Sequence, residues 1–268
     1  MKKILWALML ATSFSSAQAD VDTTSLQQAI AGKHRSAEHK ARDKYRHPQQ
    51  TLEFFDVKEN MTVVEISPGE GWYTEILAPY LKDKGKLYAA HFSAHAEQPY
   101  FKKGLENFVK KLHKRPKVYG KVELTELQPP EFLRIAPDGS ADRVLTFRNV
   151  HNWMKNDQAA AVFSAMYKAL KPGGILGIVE HRNSTLKQQD TKAESGYVSE
   201  DYVIALARNA GFEFLGKSEI NANSKDTKDY PEGVWTLPPS LALKDKDRKK
   251  YLAIGESDRM TIKFIKPQ

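Results

Sequence analysis

Along the chain, short apolar runs alternate with longer stretches in which apolar residues return every three or four positions. The short runs predict strands buried on both faces, and the longer stretches predict the helices that cover them. Strands are expected at 62–66, 86–90, 118–124, 143–147, 175–179, 212–218 and 261–265, and helices at 72–81, 98–113, 158–170 and 200–209. Turn residues separate them, as at Asp83-Lys84-Gly85, Pro137-Asp138-Gly139-Ser140, Lys171-Pro172-Gly173-Gly174 and Ala210-Gly211. Upstream, 20–33 reads as a short polar helix or extended lead, a charged helix runs from Arg35 until Pro48 stops it, and a second spans 50–55. The expected fold is α/β: a doubly wound, mainly parallel seven-stranded sheet with helices on both faces. The expected divisions are a leader at 1–19, an N-terminal helical extension at 20–60 and one α/β domain at 61–268, with no internal repeat.

The first nineteen residues follow a different pattern. Lys2 and Lys3 precede an apolar run from Ile4 to Ala11, small polar residues, and then Ala17-Gln18-Ala19, the form of an export signal with cleavage after Ala19. The apolar core is short of the roughly 20 residues needed to span a bilayer, and no later segment is apolar enough to do so. The expected location is therefore the periplasm or the exterior. A composition of 41% apolar and 28% charged residues excludes a disordered chain, and the absence of cysteine excludes disulfides, thiolate metal sites and cysteine nucleophiles. Loss of Lys2 and Lys3 lowers the formal charge from +8 to +6. The basic excess at 110–115 and 244–250 reads as solvated surface, so no nucleic-acid partner is expected. The partner expected is a small-molecule or envelope-associated substrate; the oligomeric state is not determined by the sequence.

Candidate chemistry collects at the strand ends. In Val63-Val64-Glu65-Ile66-Ser67-Pro68-Gly69-Glu70-Gly71-Trp72-Tyr73-Thr74 an apolar strand passes through a small-residue turn into a helix. Such a turn presents backbone N–H groups and a helix N-terminus to the crevice above a parallel sheet, a seat for a nucleotide-like ligand. After strand four come Arg148, Asn149, His151, Asn152 and Trp153. Arg148 is suited to a carboxylate or phosphate, the asparagines to hydrogen bonds, Trp153 to stacking and His151 to general base catalysis. Strand five ends in Glu180-His181-Arg182, a second polar cluster that contacts substrate or forms a structural ion pair. His91, His151 and His181 follow strands two, four and five; their spacing does not establish convergence, so no metal is assigned and a metal-assisted hydrolase stands as an alternative. The segments 233–239 and 255–260 form either a lid or a strap across the sheet.

The spacing Glu65-x-Ser67-x-Gly69-x-Gly71 resembles the first motif of class I S-adenosylmethionine-dependent methyltransferases, with Ser67 in place of the first glycine. Asp142 to Phe147 and Leu170-Lys171-Pro172-Gly173-Gly174 resemble later landmarks of that fold in their proper order. More narrowly, Tyr45-Arg46-His47-Pro48, Gly71-Trp72-Tyr73-Thr74-Glu75, the run from Thr146 to Trp153 and Gly255-Glu256-Ser257-Asp258-Arg259 resemble a family of exported bacterial predicted methyltransferases. The resemblance implies S-adenosylmethionine as cofactor, held by Glu65, Ser67, Gly69, Gly71, Trp72 and, where the fold usually places a ribose-binding acid, His91. From their places at the strand ends, His151, Arg148 and Asn149 are the residues expected in catalysis, with Asn152, Trp153, Glu180, His181 and Arg182 toward substrate. A neutral imidazole at His91 offers only one acceptor for two ribose hydroxyls. A repurposed periplasmic ligand-binding protein on the same fold is therefore the other alternative.

Mass spectrometry of the protein recovered from cells should find Asp20 at the N-terminus, whereas full-length chain in the cytosol would overturn the export signal.

Overall fold

The computed structural model describes residues 23–268; the leader and its cleavage site lie outside the described residues. Four short helices come first: α1 (Thr23–Ala31), α2 (Ala37–Ala41), α3 (Asp43–Arg46) and α4 (Pro48–Phe54). The single helix expected between Arg35 and Pro48 is two. The Arg42 N–H turns back to the His39 carbonyl and ends α2, and His47 adopts φ 40°, ψ 56° because Pro48 disfavours the α-helical region for the residue before it.

Strands and helices then alternate: β1 (Thr62–Ile66), α5 (Thr74–Leu81), β2 (Lys86–His91), α6 (Pro99–Lys114), α7 (Pro116–Tyr119), β3 (Val122–Glu126) and β4 (Ala141–Phe147). They continue as α8 (Val150–Lys155), α9 (Ala159–Ala169), β5 (Leu170–His181), α10 (Glu200–Asn209), β6 (Glu213–Ser218), α11 (Arg248–Ile254) and β7 (Arg259–Ile265). The strands form one seven-stranded sheet, the number the sequence implied, in the order β3-β2-β1-β4-β5-β7-β6. β1 to β5 pair in parallel and β7 runs antiparallel to β5 and β6. Strand three begins later than expected because Pro116 opens a helical turn. The stretch Arg148 to Trp153, read as a loop, is mostly the first turns of α8.

The period of two along each strand divides the interior. Val64, Ile66, Val144, Leu176 and Ile178 face a core built with α8, α9 and α10, while Val63, Leu87, Leu145, Phe147 and Val179 face a core that includes α1, α4 and α5. The second core is why the N-terminal helices belong to the globule: Leu26, Leu52 and Phe55 are wholly buried in it.

Two features of this topology build the crevice. The chain order reverses between β1 and β4, the switch point at which doubly wound sheets open a cleft above their carboxyl ends. In addition, antiparallel β7 sets its first residue, Arg259, beside the last residue of β5, His181. The run Gly255 to Arg259 therefore reaches the same edge of the sheet as the glycine turn.

Gly177 in β5 tests this packing, since a Cβ there would stand 2.7 Å from the Phe55 ring and 2.8 Å from Leu145. Gly177→Ala should cost about 1–3 kcal/mol through overpacking. Urea denaturation should show a lower midpoint with an unchanged slope; an unchanged midpoint would mean that this interface is looser than described.

Candidate active site

β1 delivers Glu65 to the cleft and ends in a turn with three positive φ angles: Ser67 at 47°, Gly69 at 59° and Gly71 at 77°. Glycine takes this region freely, whereas Ser67 is held there at a cost of about 1–2 kcal/mol, anchored by its N–H to the Ala90 carbonyl at 2.8 Å. A Cβ on Gly69 would meet nothing within 4 Å, so open space begins directly above that residue. His91 supports the turn from below. Its Nδ1 accepts the Phe92 N–H at 2.8 Å, which leaves the proton on Nε2 to be donated to the Gly69 carbonyl at 3.2 Å. Both ring nitrogens of this buried histidine are committed, and burial lowers its pKa. Glu65 is buried and accepts the Thr74 hydroxyl at 2.6 Å. Burial pushes its carboxyl up to about 7, against the pull of Thr74 and of Lys111.

Trp72 turns away from the turn toward the N-terminal helices. Its indole N–H donates to the His39 carbonyl at 3.1 Å, with the Arg35 and Arg46 guanidinium carbons 4.9 and 4.6 Å from its ring. The tryptophan thus roofs a cavity of about 220 Å³ bordered by Glu65, Ser67, Gly69, Arg46, Arg148 and Asn149.

After β4, Arg148 takes φ 62° with its N–H on the Val179 carbonyl at 2.7 Å, and α8 begins. Asn149 donates from Nδ2 to the Ile66 carbonyl and to Thr146 Oγ1, each at 3.1 Å, fastening the end of β4 to that of β1. Glu180 organises the helix start. One carboxylate oxygen accepts the Val150 N–H at 2.6 Å, and the other accepts His151 Nδ1 at 3.0 Å and the His181 N–H at 2.7 Å. With the proton of His151 on Nδ1, its Nε2 is a free acceptor.

The helical period decides what α8 presents. Asn149, Asn152, Trp153 and Asn156 follow the i, i+3, i+4, i+7 pattern and line a cavity of about 300 Å³ with Ser67, Gly69, Phe92 and Gln128. His151 leaves the opposite side of the helix. It borders a second cavity, of about 290 Å³, with Arg42, Arg46, Arg148, His181 and Trp235. Asn152 and Trp153, expected beside substrate with His151, are therefore separated from it and sit on the slot that continues from the glycine turn.

Two further expectations are corrected. Glu180 is wholly buried with its oxygens spent on α8, His151 and His181, so it positions His151 and does not reach substrate. Arg182 is drawn outward beyond the end of β5 to Asp258, Glu219 and Glu200 at 2.8, 2.8 and 3.0 Å. His181 faces the second cavity, its Nδ1 2.6 Å from Ser257 Oγ. Burial, then the charges of His151, Arg148, Arg259 and Arg46, hold its pKa well below the usual value.

Sequence reasoning missed the group that gives this cavity its charge. Glu256 accepts from Arg42 Nε at 2.6 Å, Arg46 Nε at 3.3 Å and Arg259 Nη1 at 3.0 Å. Burial opposes its ionisation, but Arg46, Arg259 and Arg42 outweigh burial and hold the carboxyl at about 2. Arg148 has no hydrogen-bond or ion-pair partner for its guanidinium among the described residues, and burial followed by Arg259 lowers its pKa to about 10. Gln128 was missed as well: its buried Oε1 has no partner among the described residues and lies on the slot beside Trp153. The acid and base run Gly255 to Arg259 was the visible signal for the first group; a lone glutamine after β3 carries none.

His151, Glu180 and His181 place ligand-type atoms within 4.8 Å of one another. Their chemistry disfavours a cation, because Glu180 is saturated by N–H donors and because burial, then His151, Arg148, Arg259 and Arg46, already act against positive charge at His181. His91 lies with Gly69 and Phe108 instead of with this pair.

Solved structures show the same architecture. A S-adenosylmethionine-dependent methyltransferase from Aquifex aeolicus matches with a TM-score of 0.57 at 16% identity, over 91% of this chain and 98% of that one. The [4+2]-cyclase SpnF matches with a TM-score of 0.57 at 15% identity, over 91% and 92% of the two chains. Phosphoethanolamine N-methyltransferase 2 from Haemonchus contortus, in complex with S-adenosyl-L-methionine, matches with a TM-score of 0.55 at 15% identity, over 92% and 57%. The fold is that of the class I methyltransferases. No protein-family model and no curated protein matches the chain.

Glu65 gives this site a pH signature. Its carboxyl rises from 4.5 unfolded to about 7 folded, so the stability contributed by its protonated form is complete below pH 4.5 and lost as pH rises through 7. A shift of that size corresponds to about 3 kcal/mol. Glu65→Gln, which stays neutral, should therefore gain up to about 3 kcal/mol on the parent between acid and neutral pH in urea denaturation. A difference that does not change with pH would show that Glu65 does not titrate there.

Proposed function

We propose that the protein is an exported S-adenosylmethionine-dependent methyltransferase acting on a small or surface-exposed acceptor. The observation that carries the reading is a glycine turn at the switch point, opening on one side to a polar aromatic slot and on the other to a histidine. The slot suits an adenine ring, because Phe92 and Trp153 flank it and Gln128 lines it. Open space above Gly69 lets a ligand approach the backbone, and Glu65 supplies a carboxyl toward the cationic end of such a molecule.

S-adenosylmethionine, when bound, supplies an electrophilic methyl carbon on a sulfonium. This chain's part is to hold the acceptor in line and to take its proton. Glu180 fixes the His151 ring with Nδ1–H engaged, which presents Nε2 to the second cavity as general base. His181, kept neutral, does not compete for that proton.

One observation favours a second reading, a non-catalytic ligand-binding protein on this fold. His91 stands where a ribose acid is usual, and both its nitrogens are already bonded within the protein.

Calorimetric titration of the mature protein with S-adenosylmethionine and S-adenosylhomocysteine should show binding, and Gly69→Val should abolish it with the far-ultraviolet spectrum preserved. His151→Ala should leave cofactor affinity within a few fold and lower turnover by roughly a hundredfold. Absence of binding by the parent protein would overturn the methyltransferase reading.

A further inference from the structure

We propose that the cavity bounded by Arg42, Arg46, Arg148 and His151 seats a phosphate dianion carried by the acceptor, so that the substrate class is a small phosphate monoester. The proposal rests on the methyl-transfer reading for the occupant's role as acceptor, but the anion site stands on the cavity itself.

The first argument is charge. Arg42, Arg46, Arg148 and Arg259 surround Glu256, so four guanidinium groups face one carboxylate. Glu256 engages three of them, and the fourth, Arg148, borders both this cavity and the one at the glycine turn with no acceptor of its own among the described residues. Arg148 is half-buried, and a cation partly withdrawn from water without a partner is stabilised by a ligand that brings acceptors. Burial first, and neighbouring cations after it, lower the pKa of both His181 and Arg46. A monocarboxylate already sits in the cluster as Glu256 and leaves Arg148 unpaired; a second, doubly charged oxyanion offsets two of the three positive charges that remain. Guanidinium forks match phosphate oxygens in pairs.

The second argument is size and wall. A volume of about 290 Å³ takes a small molecule or the end of one. Trp235, Pro238 and Pro239 line the same cavity and give it a stiff apolar part for the ligand's body, with Trp235 beside His151. An acceptor anchored there by phosphate places its remaining groups between the arginines and His151 Nε2. In the transfer, the acceptor atom forms a bond to the methyl carbon, the sulfonium sulfur keeps the electron pair of the broken bond, and the acceptor's proton passes to His151.

The test uses the full mature chain without methyl donor. Phenyl phosphate, benzoate and benzyl alcohol are titrated calorimetrically, alongside phosphatidylcholine vesicles with and without phosphatidic acid. Phenyl phosphate should bind and raise the melting temperature, and benzyl alcohol should not. Arg148→Met should weaken phenyl phosphate tenfold or more while the unliganded variant melts no lower than the parent, because the lost cation had no partner. Ser240→Glu, an exposed change at the rim, should weaken it several fold without touching the interior.

Equal binding to the parent and Arg148→Met, or tighter binding of benzoate, would overturn the proposal. Binding confined to phosphatidic acid vesicles would overturn the small-molecule assignment in favour of a lipid headgroup. If Arg148→Met weakens S-adenosylhomocysteine but neither methylthioadenosine nor phenyl phosphate, Arg148 holds the cofactor's carboxylate and the proposal fails. Phenyl phosphate binding in a protein that ignores S-adenosylmethionine would sink the methyltransferase reading and leave the anion site standing.

Discussion

The Glu256 carboxylate is the point on which the site depends. It is buried, comes from the segment just before β7, and is gripped by Arg42 and Arg46 from the N-terminal helices and by Arg259 at the start of β7. Partners more than 200 residues apart in sequence are thereby closed over the carboxyl edge of the sheet. A buried ion group of this kind contributes little net stability when complete, because desolvation offsets attraction, but losing one member costs about 3–5 kcal/mol. Its value here is placement. Arg259 also donates to the Tyr45 carbonyl, and Arg46 lies over the Trp72 ring, so the same cluster fixes the roof of the glycine turn.

Placement by Glu256 meets placement by Glu180. The first carboxylate gathers cations on one wall, and the second collects N–H donors from α8 and holds His151 so that Nε2 faces that wall. Neither residue contacts a ligand in this arrangement. Both act by spending their own oxygens on the protein, while Arg148 keeps its guanidinium and His151 its Nε2 without a partner among the described residues at the cavity. A cavity lined by arginines and by the His151 imidazole favours an anion over a metal ion.

Much of the fold was legible because its signals are local. Helix α10 begins and ends as expected, since Ser199 caps it through the Tyr202 N–H and Gly211 follows its end. β1 and the glycine turn carry their own punctuation in Val63 to Gly71. What escaped is formed by distant partners. Helix α8 has only six residues and no capping side-chain bond of its own; its start is secured by Glu180, thirty positions on, a distance that no periodicity reveals. The separation of Asn152 and Trp153 from His151 escaped for the same reason, because the stretch reads as a loop and a helix turns them to another cavity. The cluster of Arg42, Arg46 and Glu256 was quoted only as parts of two separate strings, and nothing local joins them.

The unpaired Arg148 shows how function and stability part company in this molecule. A fold selected for stability alone would pair that guanidinium or replace it with an apolar side chain, and would not hold its backbone at a positive φ. The same holds for Ser67, which stands in the glycine-favoured region at the other side of the switch point, and for Glu65, whose carboxyl is raised by burial. All three unfavourable features border one cavity, at the junction of β1 and β4. A ligand that brings partners to this junction recovers part of their cost, which is what a preorganised site requires.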